Sequence, residues 1–141
     1  MIYTAATKEA LKICFDAHKK QLDKSGIPYV FHPFHLAEQM TDEVTTIVAL
    51  LHDVVEDSNY TLSDIEGKGF GKDVIDALAL LTHDPDVLYK EYILNIKNNP
   101  IAKAVKLADL KHNSDMSRLD VVDEKAIKRR EKYQEAMDLL K

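Results

Sequence analysis

The segment His52-Asp53-Val54-Val55-Glu56-Asp57 closes an apolar run from Ile47 to Leu51. A helix that is apolar on nearly every side is a buried helix. One imidazole and three carboxylates at its end are costly to bury unless they are paired or hold a cation. On a helix, adjacent His52 and Asp53 point about 100° apart and can grip one metal from two directions. Glu56 follows His52 by four residues and Asp57 follows Asp53 by four, so each lies one turn further along the same face. That layout suits two metal ligands with acid/base carboxylates beside them. A solvated helix end with a capping Asp has the same spelling, and these six residues alone do not separate the two.

A hydrolytic metal needs further ligands and an open position for water. His32 stands at a helix start behind Pro28-Tyr29-Val30-Phe31, with His35 three residues on. Asp109 interrupts the core-like stretch Ala102 to Ala108. An acid in such a place is rarely buried without a partner, and Lys106 or Lys111 would serve as well as a metal. His112 and Asn113 follow within one turn. His18 and His83 read as surface or boundary residues, and His35 as a packed or supporting one. Imidazoles and carboxylates without sulfur suit Mn²⁺, Fe²⁺ or Zn²⁺.

The elements that must position these groups all read as helices. The first runs from Thr4 to about Leu22, with Ala6, Ala10, Ile13, Cys14 and Ala17 on one face. Lys24-Ser25-Gly26-Ile27-Pro28 breaks it. His32-Pro33 opens a second helix to about Met40. Thr41 or Asp42 caps a third, which carries the His-Asp pair. Thr61-Leu62-Ser63-Asp64 starts a short helix in capping-box style. After the Gly67–Gly71 turn come helices from Lys72 to about Thr82, Leu88 to Lys97, and Asn99-Pro100 to about Asp115. Asp123 caps a last helix to Lys141, read as a solvated face packed by Ala126, Ile127, Tyr133, Ala136 and Leu140. No period-2 alternation persists, so no sheet is expected. The fold expected is all-α: one domain over residues 1–141, a bundle of about seven to eight helices.

Bulk properties narrow the function classes. A chain of 141 residues suits one domain, and 45% apolar with 30% charged residues is ordinary for a globular protein. No apolar stretch approaches the roughly 20 residues of a membrane span, and the N-terminus lacks a secretory signal. The single cysteine, Cys14, rules out an internal disulfide and a thiolate metal cluster and points to a reducing cytoplasm. A net charge of −5 argues against general nucleic-acid affinity but leaves room for a small anionic substrate.

Four segments taken together resemble the HD-type hydrolase domain of the RelA/SpoT homologue family, which removes diphosphate from the alarmones ppGpp and pppGpp. They are His18-Lys19-Lys20-Gln21 running into Lys24-Ser25-Gly26-Ile27-Pro28-Tyr29; His32-Pro33; Ala49 to Asp57; and Val105-Lys106-Leu107-Ala108-Asp109 with Asn113. Phe70-Gly71-Lys72-Asp73-Val74 fits as well. The resemblance implies an all-helical HD domain and a bound Mn²⁺ held by His32, His52, Asp53 and Asp109. It implies that Glu56 and Asp57 orient or deprotonate the attacking water. Lys24, Ser25 and Asn113 fall where the family contacts its nucleotide. Lys24, Lys106 and Lys111 would add positive charge for phosphoryl transfer.

Two departures bear on the substrate. The family's basic doublet before Ser-Gly is Asp23-Lys24 here, so an Arg that packs against the guanine base is replaced by a residue of opposite charge that cannot stack. After Asp109 the chain reads Leu110-Lys111-His112-Asn113, which moves the basic residue about 100° round the helix. The expectation is a small Mn²⁺-dependent, hydrolase-only protein acting on the 3′-diphosphate of (p)ppGpp, with no nucleic-acid or membrane partner. Another nucleotide or a phosphorylated dinucleotide as substrate, and a catalytically weak nucleotide-binding sensor, are the competing readings.

Overall fold

The computed structural model describes residues 1–141. The chain forms nine α-helices: α1 Ala5–His18, α2 Phe31–Glu38, α3 Glu43–Leu51, α4 Val54–Asp57, α5 Leu62–Gly67, α6 Lys72–Leu81, α7 Tyr89–Lys97, α8 Pro100–Asn113 and α9 Glu124–Leu140. A 3₁₀ turn, Met116–Arg118, lies between α8 and α9. The only β pairing is an isolated bridge between Leu22 and Pro28. The all-α expectation holds.

The helix starts lie where the capping residues put them. Asp42 accepts the Thr45 N–H at 2.8 Å, and Thr61 and Asp64 form a reciprocal capping box. Asn99 accepts the N–H groups of Ile101 and Ala102, with Pro100 in the first turn. Asp123 accepts the Ala126 N–H at 2.9 Å. The apolar third helix is the hub. Residues Thr45 to Leu51 of α3 are all buried, and α1, α2, α6 and α8 pack around it. One cluster of 24 buried residues draws on every helix. Cys14 is a core residue whose thiol burial pushes up to about 12, so it is inert.

Four local expectations are corrected. The first helix stops at His18 rather than Leu22. There the Leu22–Pro28 bridge takes over, and the Asp23 carboxylate closes the turn by accepting the N–H groups of Ser25 and Ile27 at 2.9 and 3.0 Å. Gly26 makes that turn possible at φ +78°, a backbone region that other residues enter only with strain. Secondly, the His-Asp pair is not inside α3. The helix ends at Leu51, and Asp53 takes φ −108°, ψ 0°, the sparsely allowed bridge region common at functional sites, before α4 begins. Thirdly, α8 ends at Asn113, because the Asp115 side chain accepts the Ser117 N–H and starts the 3₁₀ turn instead. Lastly, α9 buries Ala126, Ala136 and Leu140, but Ile127 is 47% exposed. Its charged side is not simply solvated, since part of it walls two cavities.

Candidate metal centre

His52 follows the last residue of the buried α3 and is itself buried. Its Nδ1–H donates to the Ala49 carbonyl at 2.7 Å, which leaves the Nε2 lone pair facing inward. That Nε2 has no hydrogen-bond partner. It lies 3.0 Å from Asp53 Oδ2 and 3.5 Å from Asp109 Oδ1. His32, at the start of α2, brings its own Nε2 to 2.8 Å from the same Asp109 oxygen.

His112, one helical turn after Asp109, stacks on His32 with ring centroids 5.0 Å apart and an angle of 6°. Burial, then the charges of Arg118 and His32, push His112 down to about 4, so it is neutral at physiological pH. Its Nδ1 lies 2.7 Å from His32 Nδ1. One Nδ1 donates to the other, and the His32 Nε2 either carries a proton and donates to Asp109 or presents its lone pair to a cation. His35 is exposed rather than packed, and its ring rests 4.3 Å from that of His112.

Asp109 settles the choice between its two candidate lysines. Lys106 donates to Oδ2 at 3.0 Å and Asn113 Nδ2 donates to Oδ1 at 3.0 Å. Burial would raise this carboxyl, but the Lys106 ammonium, then the His32 hydrogen bond and the nearby His52 imidazole, outweigh it and hold Asp109 well below the usual carboxylate range. Lys111 instead lines a separate groove with Met40, Thr45 and Pro100, so it takes no part here.

These donors fit a divalent ion. His32, His52 and Asp109 each present an atom within 4.8 Å of the others. Ligand atoms about 2.1 Å from one ion and 90–110° apart lie roughly 3.0–3.4 Å from each other, close to the 2.8 and 3.5 Å that separate Asp109 Oδ1 from the two imidazoles. Asp53 is outside that three-way cluster but touches it through His52, and Tyr29 Oη donates to its Oδ2. Burial disfavours charge on His52, yet the Asp53 and Asp109 carboxylates raise it well above the usual imidazole range.

Glu56 and Asp57 sit in α4, facing a cavity of about 270 Å³ that also holds His52, Asp53, Asp109, Lys106 and Asn113. The backbone N–H of His83 donates to Glu56 Oε1 and ties it to the α6–α7 loop. Desolvation, then Asp53 and Glu56, push Asp57 up to about 6. The sequence did not single out His83 for this backbone contact, and no side-chain pattern signals one. Tyr89 and Tyr92 line this cavity too.

A second cavity of about 330 Å³ adjoins the first, sharing Tyr29, Asn113 and Tyr133 with it. Lys24, Arg118, Arg129 and Arg130 face it. Its carboxylates are engaged elsewhere: Asp23 in the 23–27 turn and beside Arg118 at 3.7 Å, Asp115 on Ser117. Ser25 lines the cavity but its hydroxyl donates to the Arg118 carbonyl at 2.8 Å. Lys24, Arg129, Arg130 and Lys132 have no carboxylate within ion-pair distance. Lys132 reaches the metal cavity, 4.0 Å over the Tyr89 ring. The α9 cations therefore do not form the solvated face that their charge pattern predicts. The signal was the aromatic Tyr133 set among Arg129, Arg130 and Lys132 within about one turn.

The protein-family model for the HD domain matches residues 10–83, a stretch that contains His32, His52, Asp53, Glu56 and Asp57 but stops short of Asp109. The Escherichia coli bifunctional (p)ppGpp synthase/hydrolase SpoT is 44% identical over 71 residues, covering 48% of this chain and 10% of that protein. The mouse guanosine-3′,5′-bis(diphosphate) 3′-pyrophosphohydrolase MESH1 is 38% identical over 114 residues, covering 70% of this chain and 63% of that one. The chain thus spans a tenth of the bacterial relative and under two thirds of the mouse one. A solved structure of a metazoan orthologue of SpoT, described as hydrolysing ppGpp, superposes with a TM-score of 0.82 at 27% identity, covering all of this chain and 88% of that one. With its His-Asp junction set beside a buried His–His–Asp cluster, and with similarity to SpoT and its metazoan orthologue, the chain belongs to the HD domain family.

Proposed function

We propose that this protein is a Mn²⁺-dependent phosphohydrolase that releases the 3′-diphosphate of guanosine 3′,5′-bis(diphosphate). The observation that carries the reading is the partnerless, buried His52 Nε2, which faces two carboxylates in the cavity that also holds Glu56 and Asp57. His32, His52, Asp53 and Asp109 would hold the ion. When bound, such an ion polarises a phosphoryl oxygen and acidifies water. Water adds to the phosphorus next to the 3′-oxygen, the P–O3′ bond breaks, and the nucleoside 3′-oxygen ends protonated. Asp57, poised near 6, takes the proton of the attacking water, and Glu56, fixed by the His83 N–H, orients that water. Lys106 and Lys132 offset phosphate charge in the metal cavity, and Lys24 with the α9 arginines does so in the adjoining one. Asn113, where the two cavities meet, and Ser25, in the wall of the second, contact the nucleotide. The names and activities of the relatives support this substrate.

Asp23 favours a second reading with the same chemistry on a different nucleotide. Its carboxylate is committed to the turn and to Arg118, so the cavity wall there is unlike one built from a stacking guanidinium. One assay separates the readings: purified protein with Mn²⁺ and ppGpp, GTP, a 3′-phosphorylated adenosine nucleotide or NADPH. Diphosphate released from ppGpp supports the first. Turnover of the others alone supports the second, and Asp23→Arg is then expected to raise guanosine-substrate turnover. Nucleotide binding without turnover of any of them would overturn both.

A further inference from the structure

Three side chains behind the metal centre take no part in the chemistry above. His18 was expected at the surface or a boundary, but it is 0% exposed. Its Nδ1 lies 2.8 Å from Gln21 Oε1, an atom that only accepts, so Nδ1 carries the proton. Burial lowers the His18 pKa and disfavours the charged ring. With Oε1 committed, the Gln21 amide is fixed in orientation. Its Nε2–H donates 2.6 Å to the Asp57 carbonyl, 36 residues away in sequence. The His18 ring meets the Tyr29 ring edge-on, 5.1 Å between centroids at 61°. Tyr29 in turn donates its hydroxyl to Asp53 Oδ2. The Tyr29 N–H donates to the Gln21 carbonyl at 2.9 Å, which closes the circuit.

The segment so gripped needs outside support. Helix α4 has four residues, and an isolated helix that short does not hold itself together in water. It starts from Asp53 in the bridge region and carries Glu56 and Asp57. Anchors therefore have to come from elsewhere, and one lies at each end: Tyr29 on the Asp53 carboxylate, Gln21 on the Asp57 carbonyl.

We infer that His18, Gln21 and Tyr29 form a bracket that sets the position of residues 53–57, with Tyr29 the positioning residue for Asp53. The inference rests on the reading of Asp53 as a metal ligand, not on the identity of the nucleotide. Groups that hydrogen-bond a metal ligand fix its orientation, and losing one typically costs about 10–100-fold in metal affinity or activity.

The test is Mn²⁺ titration of the full chain by calorimetry, with no nucleotide present. Tyr29→Phe keeps the ring against His18 and removes only the hydroxyl. It is expected to weaken Mn²⁺ binding about 10–100-fold while leaving the thermal midpoint of the metal-free protein in place. Tyr60→Phe, which removes a similar hydroxyl bonded to the surface Asp16, is expected to leave the affinity unchanged. Gln21→Leu supplies a second variant if Tyr29→Phe misfolds, and is expected to weaken Mn²⁺ binding in the same direction. Wild-type affinity in a folded Tyr29→Phe or, failing that, in Gln21→Leu overturns the bracket. So does a wild-type protein that binds no Mn²⁺. A wild-type protein that binds Mn²⁺ but ignores ppGpp leaves the bracket to be decided by these affinities and sinks only the substrate reading.

Discussion

Single side chains set the protonation states on which the chemistry depends. Asp57 is held near 6 by desolvation and two neighbouring carboxylates, and the metal-free protein is expected to show that titration directly. In carboxyl-selective NMR of the metal-free chain, Asp57 should lose its proton as pH rises through about 6, well above the ordinary range near 4. A midpoint at 4 would remove its claim to be a poised base. Glu56 is argued to act on water and not on the ion. Glu56→Ala is therefore expected to keep Mn²⁺ affinity and to lose about 100-fold in kcat, the scale usual for general acid–base groups. Calorimetry and steady-state kinetics on one preparation read both quantities. Sequence spacing made Glu56 and Asp57 visible as candidates, because one imidazole and three carboxylates at the end of an apolar helix are costly to bury unless paired or holding a cation. Spacing said nothing of His18, since burial of a lone histidine depends on which helices cover it.

Element boundaries were legible wherever a side chain writes its own cap. Asp42, Thr61, Asn99 and Asp123 all cap as their types and neighbours require. Asp42 takes both the N–H and the hydroxyl of Thr45, and it starts the helix that holds the core together. Asp42→Ala is expected to cost about 1 kcal/mol of stability, read as a lower urea midpoint with an unchanged slope. The ends of α1 and α3 were not legible, because long-range contacts decide them. The Asp23 turn and the Leu22–Pro28 bridge stop α1. At the end of α3, Tyr29 from a distant segment donates to the Asp53 carboxylate, and Asp109 faces the neighbouring His52. The charged stripe of α9 misled for a related reason. Unpaired arginines look the same in sequence whether they face bulk water or a cavity built by α8 and the 23–29 turn.

At the scale of the molecule, an acidic chain of net charge −5 gathers unpaired cations at one pair of adjoining cavities. That contrast draws a small anion to one place on a protein that repels anions elsewhere. No helix is long and apolar enough to cross a membrane. Metal binding would be linked to folding, since the proposed ligands come from α2, the α3–α4 junction and α8. A bound ion should raise the thermal midpoint in a concentration-dependent way, and a chelator should reverse it. Proton release gives the sign of the pH dependence. His52 is raised above the usual imidazole range in the metal-free protein, so an ion must displace its proton. Mn²⁺ affinity is thus expected to increase with pH through and above about 6.5, with proton uptake by the buffer during titration. Affinity that falls as pH rises would contradict it.

Anomalous diffraction at the manganese edge, from crystals grown with Mn²⁺, reaches the centre of the account most directly. One peak is predicted, about 2.0–2.2 Å from His32 Nε2, His52 Nε2 and an Asp109 oxygen, with Asp53 completing the set. Manganese bound only at other carboxylates, with the His52 Nε2 still lacking a partner, would contradict it.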